Sequence, residues 1–302
     1  MTTAHRVGQA QQSHVALPGA ASRTLLPLLR GPRIPARILA VFPSAVYLAA
    51  ADGTVVALLT SDAVRLPNGI VVAESSTRTP FAQLSGEAGG LDRQAVGAHC
   101  GGGEVQVGPL TVRATRWWAP RRPRPPADPA RLRGRVRAFG HALGTAITGR
   151  ASPGLPAAGR VALAELTVFA ARNNPQACLT AAQRLVGLGP GLTPSGDDAL
   201  SGFLMALRHL GNRPLDLRLR TEGRTPDLSA ALLEHAARGD GCDQVVGLLD
   251  AVAGHTPVHD ALADLLSVGH TSGADLSLGV LAGAHAVLAH RLETTPQWKE
   301  SL

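Results

Sequence analysis

The pattern of hydrophobic positions changes in character near residue 120. Before it, apolar residues fall in short runs separated by glycine- and proline-containing turns, which is typical of β-strands. The Asp52–Gly53 pair between two such runs predicts a hairpin whose two central residues both have positive φ. The predicted strands are Ile38–Phe42, Ala45–Ala50, Thr54–Leu59, Ile70–Ala73, Glu104–Val107 and Leu110–Arg116.

Beyond Pro129 the apolar positions recur with the three-to-four-residue spacing of amphipathic helices. Leu200, Phe203, Leu204 and Leu207 form one such stripe. The pattern therefore predicts an α+β fold, with a small N-terminal β domain followed by a C-terminal, mostly α-helical domain. The predicted helices are Leu132–Ile147, Arg160–Ala171, Pro175–Val186, Ala199–Leu210, Leu228–Arg238, Asp243–Ala253, Pro257–Val268 and Asp275–Leu292.

The predicted boundary between the two halves is rich in proline and arginine. Residues 119–129 hold five prolines and three arginines, and such a stretch forms neither a helix interior nor a central strand. We interpret the arginines here and in the following helix as a solvated surface. The predicted domains are a disordered tail at 1–30, a β domain at 31–118, this linker, and a helical domain at 130–295 that carries the site.

Composition excludes several classes of function. Lys299 is the only lysine in the 302 residues, which excludes a pyridoxal Schiff base and a P-loop. Aromatic residues make up 3%, too few for the stacking platforms of single-stranded nucleic acid binders. Three widely spaced cysteines predict neither disulfides nor a thiolate metal site. We see no membrane-length apolar run or secretory start, and we expect a cytoplasmic protein without nucleic acid or membrane partners.

The segment Gly187–Asp198, GLGPGLTPSGDD, joins two predicted helices and carries the first candidate chemistry. Glycines allow a ligand to approach the backbone, and the unpaired N–H groups of a helix start attract a small anionic substrate. The carboxylates of Asp197 and Asp198 can orient a substrate amide, act as a base or hold Mg²⁺. The alternative to such a functional site is that Ser195 or Asp197 only caps the helix. The predicted substrate-binding residues are Gly189, Gly191, Thr193, Ser195 and Gly196, and the predicted catalytic residues are Asp197 and Asp198.

A second copy of the pattern lies at His270–Gly279. Both copies read S-G-x-D and have a glycine four residues after the aspartate, at Gly202 and Gly279. We therefore predict that the two helix starts face each other and line one site. We predict no residues that form a metal site of the protein itself. In this copy the predicted substrate-binding residues are Thr271, Ser272 and Gly273, and the predicted catalytic residues are His270 and Asp275.

Gly187–Leu204 and Gly269–Gly283 resemble the two hallmark segments of the family containing AllH, a subunit of the oxamate carbamoyltransferase of anaerobic allantoin breakdown. The resemblance extends over most of the chain from about Ile34 to Leu292. It implies carbamoyl transfer between phosphate and the amino group of a small amide such as oxamate, within purine catabolism, together with AllF-like and AllG-like subunits. The alternatives are a non-catalytic anion-binding or regulatory subunit, and a lyase or cyclase that uses the same aspartates. A homo-oligomer is compatible with each.

Overall fold

The structure, a computed structural model, describes residues 15–84, 97–148 and 154–294. The chain divides into two compact units, Met1–Ala63 with Asn68–Trp118 and Val64–Pro67 with Ala119–Leu302. The first unit is a β-barrel and the second is mostly helical, which confirms the predicted α+β fold.

Within the described residues, the first unit contains eight strands: β1 (Val15–Ser22), β2 (Ile34–Val41), β3 (Ala45–Ala50), β4 (Val55–Leu59), β5 (Gly69–Val72), β6 (Ala98–Gly101), β7 (Glu104–Val107) and β8 (Leu110–Trp118). They close into a barrel in the order β1-β5-β4-β3-β2-β6-β7-β8. The β1–β8 and β4–β5 pairs are parallel and the other pairs are antiparallel. Apolar side chains from facing strands, including Leu48, Leu58, Ile70 and Val112, fill the interior.

The β3–β4 hairpin forms where the Asp52–Gly53 pair predicts it, but with a different turn. Gly53 has φ +86°, whereas Asp52 is not in the left-handed region. The amide of Ala50 donates to the carbonyl of Thr54 at 2.9 Å, so the loop is one residue longer than a two-residue turn. A loop of that length needs only one residue with positive φ. The prediction of two such residues was therefore wrong.

Strand β1 lies in the segment that we expected to be a disordered tail. It pairs in parallel with β8, from Val15 beside Leu110 to Ser22 beside Trp118, and in antiparallel with β5. A short helix, α1 (Leu26–Arg30), follows it, so the expected tail is corrected from residue 15 onward. Both partner strands are distant in sequence, and the segment itself has no alternating pattern. Residues 1–14 lie outside the described residues.

The described part of the helical unit contains α2 (Leu132–Ile147), α3 (Ala157–Ala171), α4 (Pro175–Gln183), α5 (Ser195–Gly211), α6 (Asp227–Arg238), α7 (Asp243–Ala253), α8 (Val258–Leu266) and α9 (Ser272–Thr294). Nearly every residue of α5 is buried. By length and composition alone, Ser272–Glu293 of α9 is long and apolar enough to span a membrane, although the sequence analysis found no such run. In the fold, however, 61% of the most apolar window of this helix is buried. This burial is typical of a core helix.

The predicted linker is bound to the helical unit through a backbone hydrogen bond and ion pairs, while its arginine side chains stay more than half exposed. The buried Asp250 accepts hydrogen bonds from the backbone amide of Arg124 at 2.8 Å and from the guanidinium of Arg121 at 3.3 Å. Arg122 forms an ion pair with Asp240 at 3.2 Å. These arginines are thus solvated, as the sequence predicted, although each also pairs with a buried aspartate. Their acidic partners are more than a hundred residues away in sequence, and the local pattern gives no sign of them.

Candidate functional site

Helices α5 and α9 are in backbone contact through Gly202 on α5 and Gly279 on α9. A Cβ atom placed on Gly202 would lie 2.2 Å from the carbonyl oxygen of Leu276, and one on Gly279 would lie 1.9 Å from that of Ala199. Real Cβ atoms essentially never lie closer than 3.0 Å to a non-bonded heavy atom, so no side chain fits at either position. These glycines follow the two S-G-x-D segments and allow the two helices to pack closely.

The contacts between the two helices are reciprocal. The sequence offset that takes Ser195 to Ser272 also takes Asp198 to Asp275. Each glycine meets the carbonyl of the residue that directly follows the aspartate on the other helix. The two S-G-x-D copies are therefore related by a local two-fold arrangement, which brings the two helix starts together.

The hydroxyl and carboxyl groups of the two copies are crossed. The hydroxyl of Ser272 hydrogen-bonds to Asp198, and the hydroxyl of Ser195 hydrogen-bonds to Asp275. Thr193 Oγ1 lies 3.1 Å from Ser272 Oγ and adds a link from the glycine-rich loop. Each aspartate is thus hydrogen-bonded by a serine of the opposite helix, so the site needs residues from both helix starts.

Burial dominates the electrostatics of the two crossed carboxyls. Asp198 is 8% exposed and Asp275 is fully buried. The pKa of Asp198 is raised to about 8, mainly by burial and also by the charges of Asp275 and Asp197. The hydroxyls of Ser272 and Thr193 act in the opposite direction and lower this pKa. Burial also raises the pKa of Asp275, whereas hydrogen bonds from the Ser195 hydroxyl, the Leu155 amide and the Thr271 hydroxyl lower it. At neutral pH Asp198 therefore carries a proton and can donate it.

One oxygen of each carboxyl is left without a partner. Within the described residues, Oδ2 of Asp198 and Oδ2 of Asp275 are both buried and accept no hydrogen bond. The ion pairs of the same part of the chain involve neither residue. Buried polar atoms are almost always paired, so two such atoms in one site are suited to an N–H group or a proton.

Gly154 and Leu155, just before α3, close one side of the site, and no sequence pattern predicted them. The amide of Leu155 donates to Asp275 Oδ1 at 3.1 Å. A Cβ atom on Gly154 would lie 2.2 Å from Ser195 Oγ, 2.8 Å from Asp275 Oδ2 and 2.9 Å from Thr271 Oγ1. Only glycine leaves room for these groups. Its only sequence signal is a glycine in a proline-bounded loop.

A comparison with known families supports the importance of this region. Residues 185–284 match the family model of oxamate carbamoyltransferase subunit AllH. The resemblance seen in the sequence is thereby confirmed over these residues. The AllH match includes both helix starts and leaves out the barrel, Gly154 and Leu155. No solved structure matches the chain.

Asp197, the other aspartate of the AllH-matched loop, has structural partners. Its Oδ1 accepts the amide of Gly187 at 2.9 Å, and its Oδ2 accepts the hydroxyls of Ser229, at 2.7 Å, and Thr225. These bonds fasten the glycine-rich loop to the start of α6. The α5 helix begins after Pro194 without a side-chain cap, so the alternative that Ser195 or Asp197 caps it is wrong.

Three backbone amides at each of the two helix starts are paired within the chain, so these six are not open to an anion. In α5 the amide of Gly196 donates to Leu188 and those of the next two residues donate to Pro194. In α9 the amide of Gly273 donates to Val268 and those of the next two donate to Thr271. The turns before both helices supply these acceptors, which a sequence pattern does not show.

The remaining predicted residues are placed around this centre rather than in it. A Cβ on Gly196 would lie 2.0 Å from the carbonyl of Leu185, so this glycine packs on the chain just beyond α4. Gly273 packs in the same way on the end of α8. Gly189 has φ +118° and turns the loop, while Gly191 and His270 are exposed. The described residues contain no group of three or more acidic, histidine or cysteine side chains that could hold a metal ion.

Proposed function

We propose that this chain is the AllH-type subunit of a carbamoyltransferase and that it binds an amide-bearing substrate between the starts of α5 and α9. The observation that carries the proposal is the pair of buried, unpartnered oxygens of Asp198 and Asp275. Carbamoyl groups and oxamate both present amide N–H donors that suit such acceptors. The match to the oxamate carbamoyltransferase subunit over residues 185–284 supports the same chemistry.

The reaction needs one proton donor and one proton acceptor. When a carbamoyl group moves from the oxamate nitrogen to phosphate, the C–N bond breaks and a C–O bond to phosphate forms. The released nitrogen gains a proton, and the phosphate hydroxyl loses one. A protonated Asp198 is suited to supply the first proton, and the raised pKa of Asp275 makes its carboxylate a stronger base for the second. General acid–base catalysis of this kind contributes about 10²- to 10⁴-fold.

The charge around the two carboxyls supports a site that is shared with other subunits. Oxamate and phosphate are anions, yet the described ion pairs bring no arginine to Asp198 or Asp275, and three amides at each helix start are paired within the chain. Anionic groups need cationic or N–H partners. We propose that AllF-like and AllG-like subunits supply them, so the isolated chain binds weakly and the assembled enzyme turns over.

The test compares the isolated chain with the chain copurified with its partner subunits. Calorimetry measures the binding of oxamate and carbamoyl phosphate, and phosphate release from carbamoyl phosphate plus oxamate measures turnover. We expect Asp198→Asn and Asp275→Asn each to lower turnover by about 100-fold or more. Asp264→Asn, at an exposed position of α8, is the matched control.

Each outcome of this experiment has a defined meaning. Normal turnover in both aspartate variants would contradict the proposed site. Substrate binding that depends on both aspartates, in an assembly whose turnover does not, would favour the non-catalytic binding subunit instead. Turnover of oxamate without phosphate as acceptor or donor would favour an enzyme of another class.

A further inference from the structure

We propose that the outer face of α3 is an interface that binds a second copy of this chain, with the two α3 helices parallel. Four exposed apolar residues define the outer face: Ala157, Val161, Ala164 and Val168. Within the described residues, four large hydrophobic side chains are exposed, and two of them, Val161 at 53% and Val168 at 45%, lie on this face. The inference concerns assembly and does not depend on carbamoyl transfer.

Helix α3 is apolar on two opposite sides. Its inner side packs against α4, α5 and α9 in the helical unit. The buried residues of the inner side include Gly159, Ala162, Leu163, Leu166 and Ala170. With 3.6 residues per turn, the outer face lies on the opposite side of the helix from these residues. A helix that is apolar all round is normally buried, so the outer face indicates a further packing partner.

The outer face has the residue spacing of a coiled coil. Its four residues are separated by four, three and four positions, so they alternate between the d and a positions of a heptad repeat. Val161 and Val168 occupy the a positions, where β-branched residues favour two parallel strands. The d positions hold alanines, whose small side chains allow two helices to approach closely. The pattern therefore favours a second α3 helix as the partner.

The charged residues beside the outer face favour the same occupant and set its orientation. Arg160, directly before Val161, is a g residue, and Glu165, directly after Ala164, is an e residue. In a parallel pair, a g residue lies beside the e residue that is five positions later on the other helix. Arg160 of each copy therefore meets Glu165 of the other, which gives two ion pairs by symmetry. An antiparallel pair places g beside g and e beside e and forms neither ion pair.

Both charged side chains keep groups available for this contact. Arg160 is exposed, and its Nη1 donates to the carbonyl of Leu155 at 2.8 Å. Among the described residues, the other guanidinium nitrogens of Arg160 have no partner. Glu165 Oε2 accepts a hydrogen bond from Arg184, and Oε1 has no partner in the same part of the chain. The ion pairs between two copies can therefore form without breaking these bonds.

The first test is the oligomeric state of the full-length chain, measured by sedimentation velocity from about 1 to 100 µM. We expect a dimer that dissociates on dilution, because the outer face is short. Val161→Glu and Val168→Glu should each weaken the dimer by about 10-fold or more, since each would bury a charge at an a position. Phe42→Glu places the same charge at an exposed apolar position of the barrel and is the matched control.

Charge reversal tests the second copy and its orientation. Arg160→Glu and Glu165→Arg should each weaken the dimer by about 10-fold, because like charges would then meet across the interface. An equimolar mixture of these two variants should form a heterodimer, since every acidic side chain then meets an arginine of the other copy. Melting temperatures of the separate variants check that both are folded. Misfolded variants would not regain association on mixing.

Several results would overturn the proposal. These are a monomer throughout the concentration range, a dimer that both valine variants leave intact, and a mixture of the charge variants without a heterodimer. Val161→Glu that prevents copurification with AllF-like and AllG-like subunits, but leaves the isolated chain unchanged, would assign the face to one of those subunits. Sedimentation of the isolated chain is independent of turnover, so this proposal and the proposed function can fail separately.

Discussion

The two S-G-x-D copies have the same crossed contacts but different supports. In the first copy a long glycine-rich loop precedes α5, and Asp197 fastens that loop to Gly187, Thr225 and Ser229. In the second copy a short turn precedes α9, and Ala274 occupies the position equivalent to Asp197. The residues that are the same in both copies build the shared centre, while the residue that differs serves its own copy.

This difference separates function from scaffolding in a way that the first copy alone does not. Adjacent aspartates at the start of α5 look alike in the sequence, yet Asp197 has its acceptor oxygens occupied and Asp198 has one oxygen free. The second copy keeps the equivalent of Asp198 and lacks that of Asp197. Internal repetition thus identifies the carboxyl that belongs to the site.

The largest expected effect comes from the element that both copies share, the glycine contact. Gly279→Ala should reduce the free energy of unfolding by about 3 kcal/mol or more, because its Cβ would overlap the backbone carbonyl of Ala199. Gly202→Ala should behave alike. Urea unfolding measures both, with Gly247→Ala, where a Cβ meets no atom within 4 Å, as the control. A loss as small as in the control would mean that the helices are farther apart.

The next effect concerns the support found only in the first copy. Asp197→Ala should destabilise the chain by about 2–4 kcal/mol, because it leaves the Gly187 amide and the Ser229 hydroxyl buried without an acceptor. Thermal and urea unfolding check this value. Unchanged stability together with lost substrate binding would assign Asp197 to the site and remove the contrast between the copies.

A smaller effect is expected from the pH dependence of stability. The pKa of Asp198 is about 8 in the folded chain, above its ordinary value of 3.8, so its contribution is fully present below about pH 4 and is lost as pH rises through 8. Between pH 5 and 9 the wild type should therefore lose about 2 kcal/mol or more relative to Asp198→Asn. Parallel profiles of melting temperature against pH in the two proteins would show that Asp198 does not hold this proton.

The smallest expected effect on stability is that of Gly154→Ala, about 1 kcal/mol, because the atoms nearest the added methyl group are side-chain atoms, which can move more easily than backbone. Its effect on the site should be larger, since the added Cβ points at Ser195 Oγ, Asp275 Oδ2 and Thr271 Oγ1. We expect substrate affinity to fall by about 10-fold, measured by calorimetry on the assembled subunits. Wild-type affinity would place the substrate away from this side of the centre.

Local pattern predicted the elements whose boundaries depend on their own residues. Strands β3 and β7 and helices α2 and α7 have the predicted bounds. The pattern missed β1 and β6, because the residues of these strands give no clear strand signal and the strands are defined by their partners in the barrel. For the site, the repeat predicted that Asp198 and Asp275 would meet. It did not predict the Leu155 amide or the pairing of the helix-start amides, since these depend on loops elsewhere in the fold.

The closure of the barrel has a consequence for how this unit can take part in an assembly. Strand addition needs an edge strand whose backbone donors and acceptors are unpaired. Within the described residues, the first and last strands of the barrel pair with each other, from Val15 beside Leu110 onward. The described strands of the barrel therefore leave no edge to which a neighbouring subunit could add a strand. A subunit that bound these strands would have to contact their side chains or the loops between them.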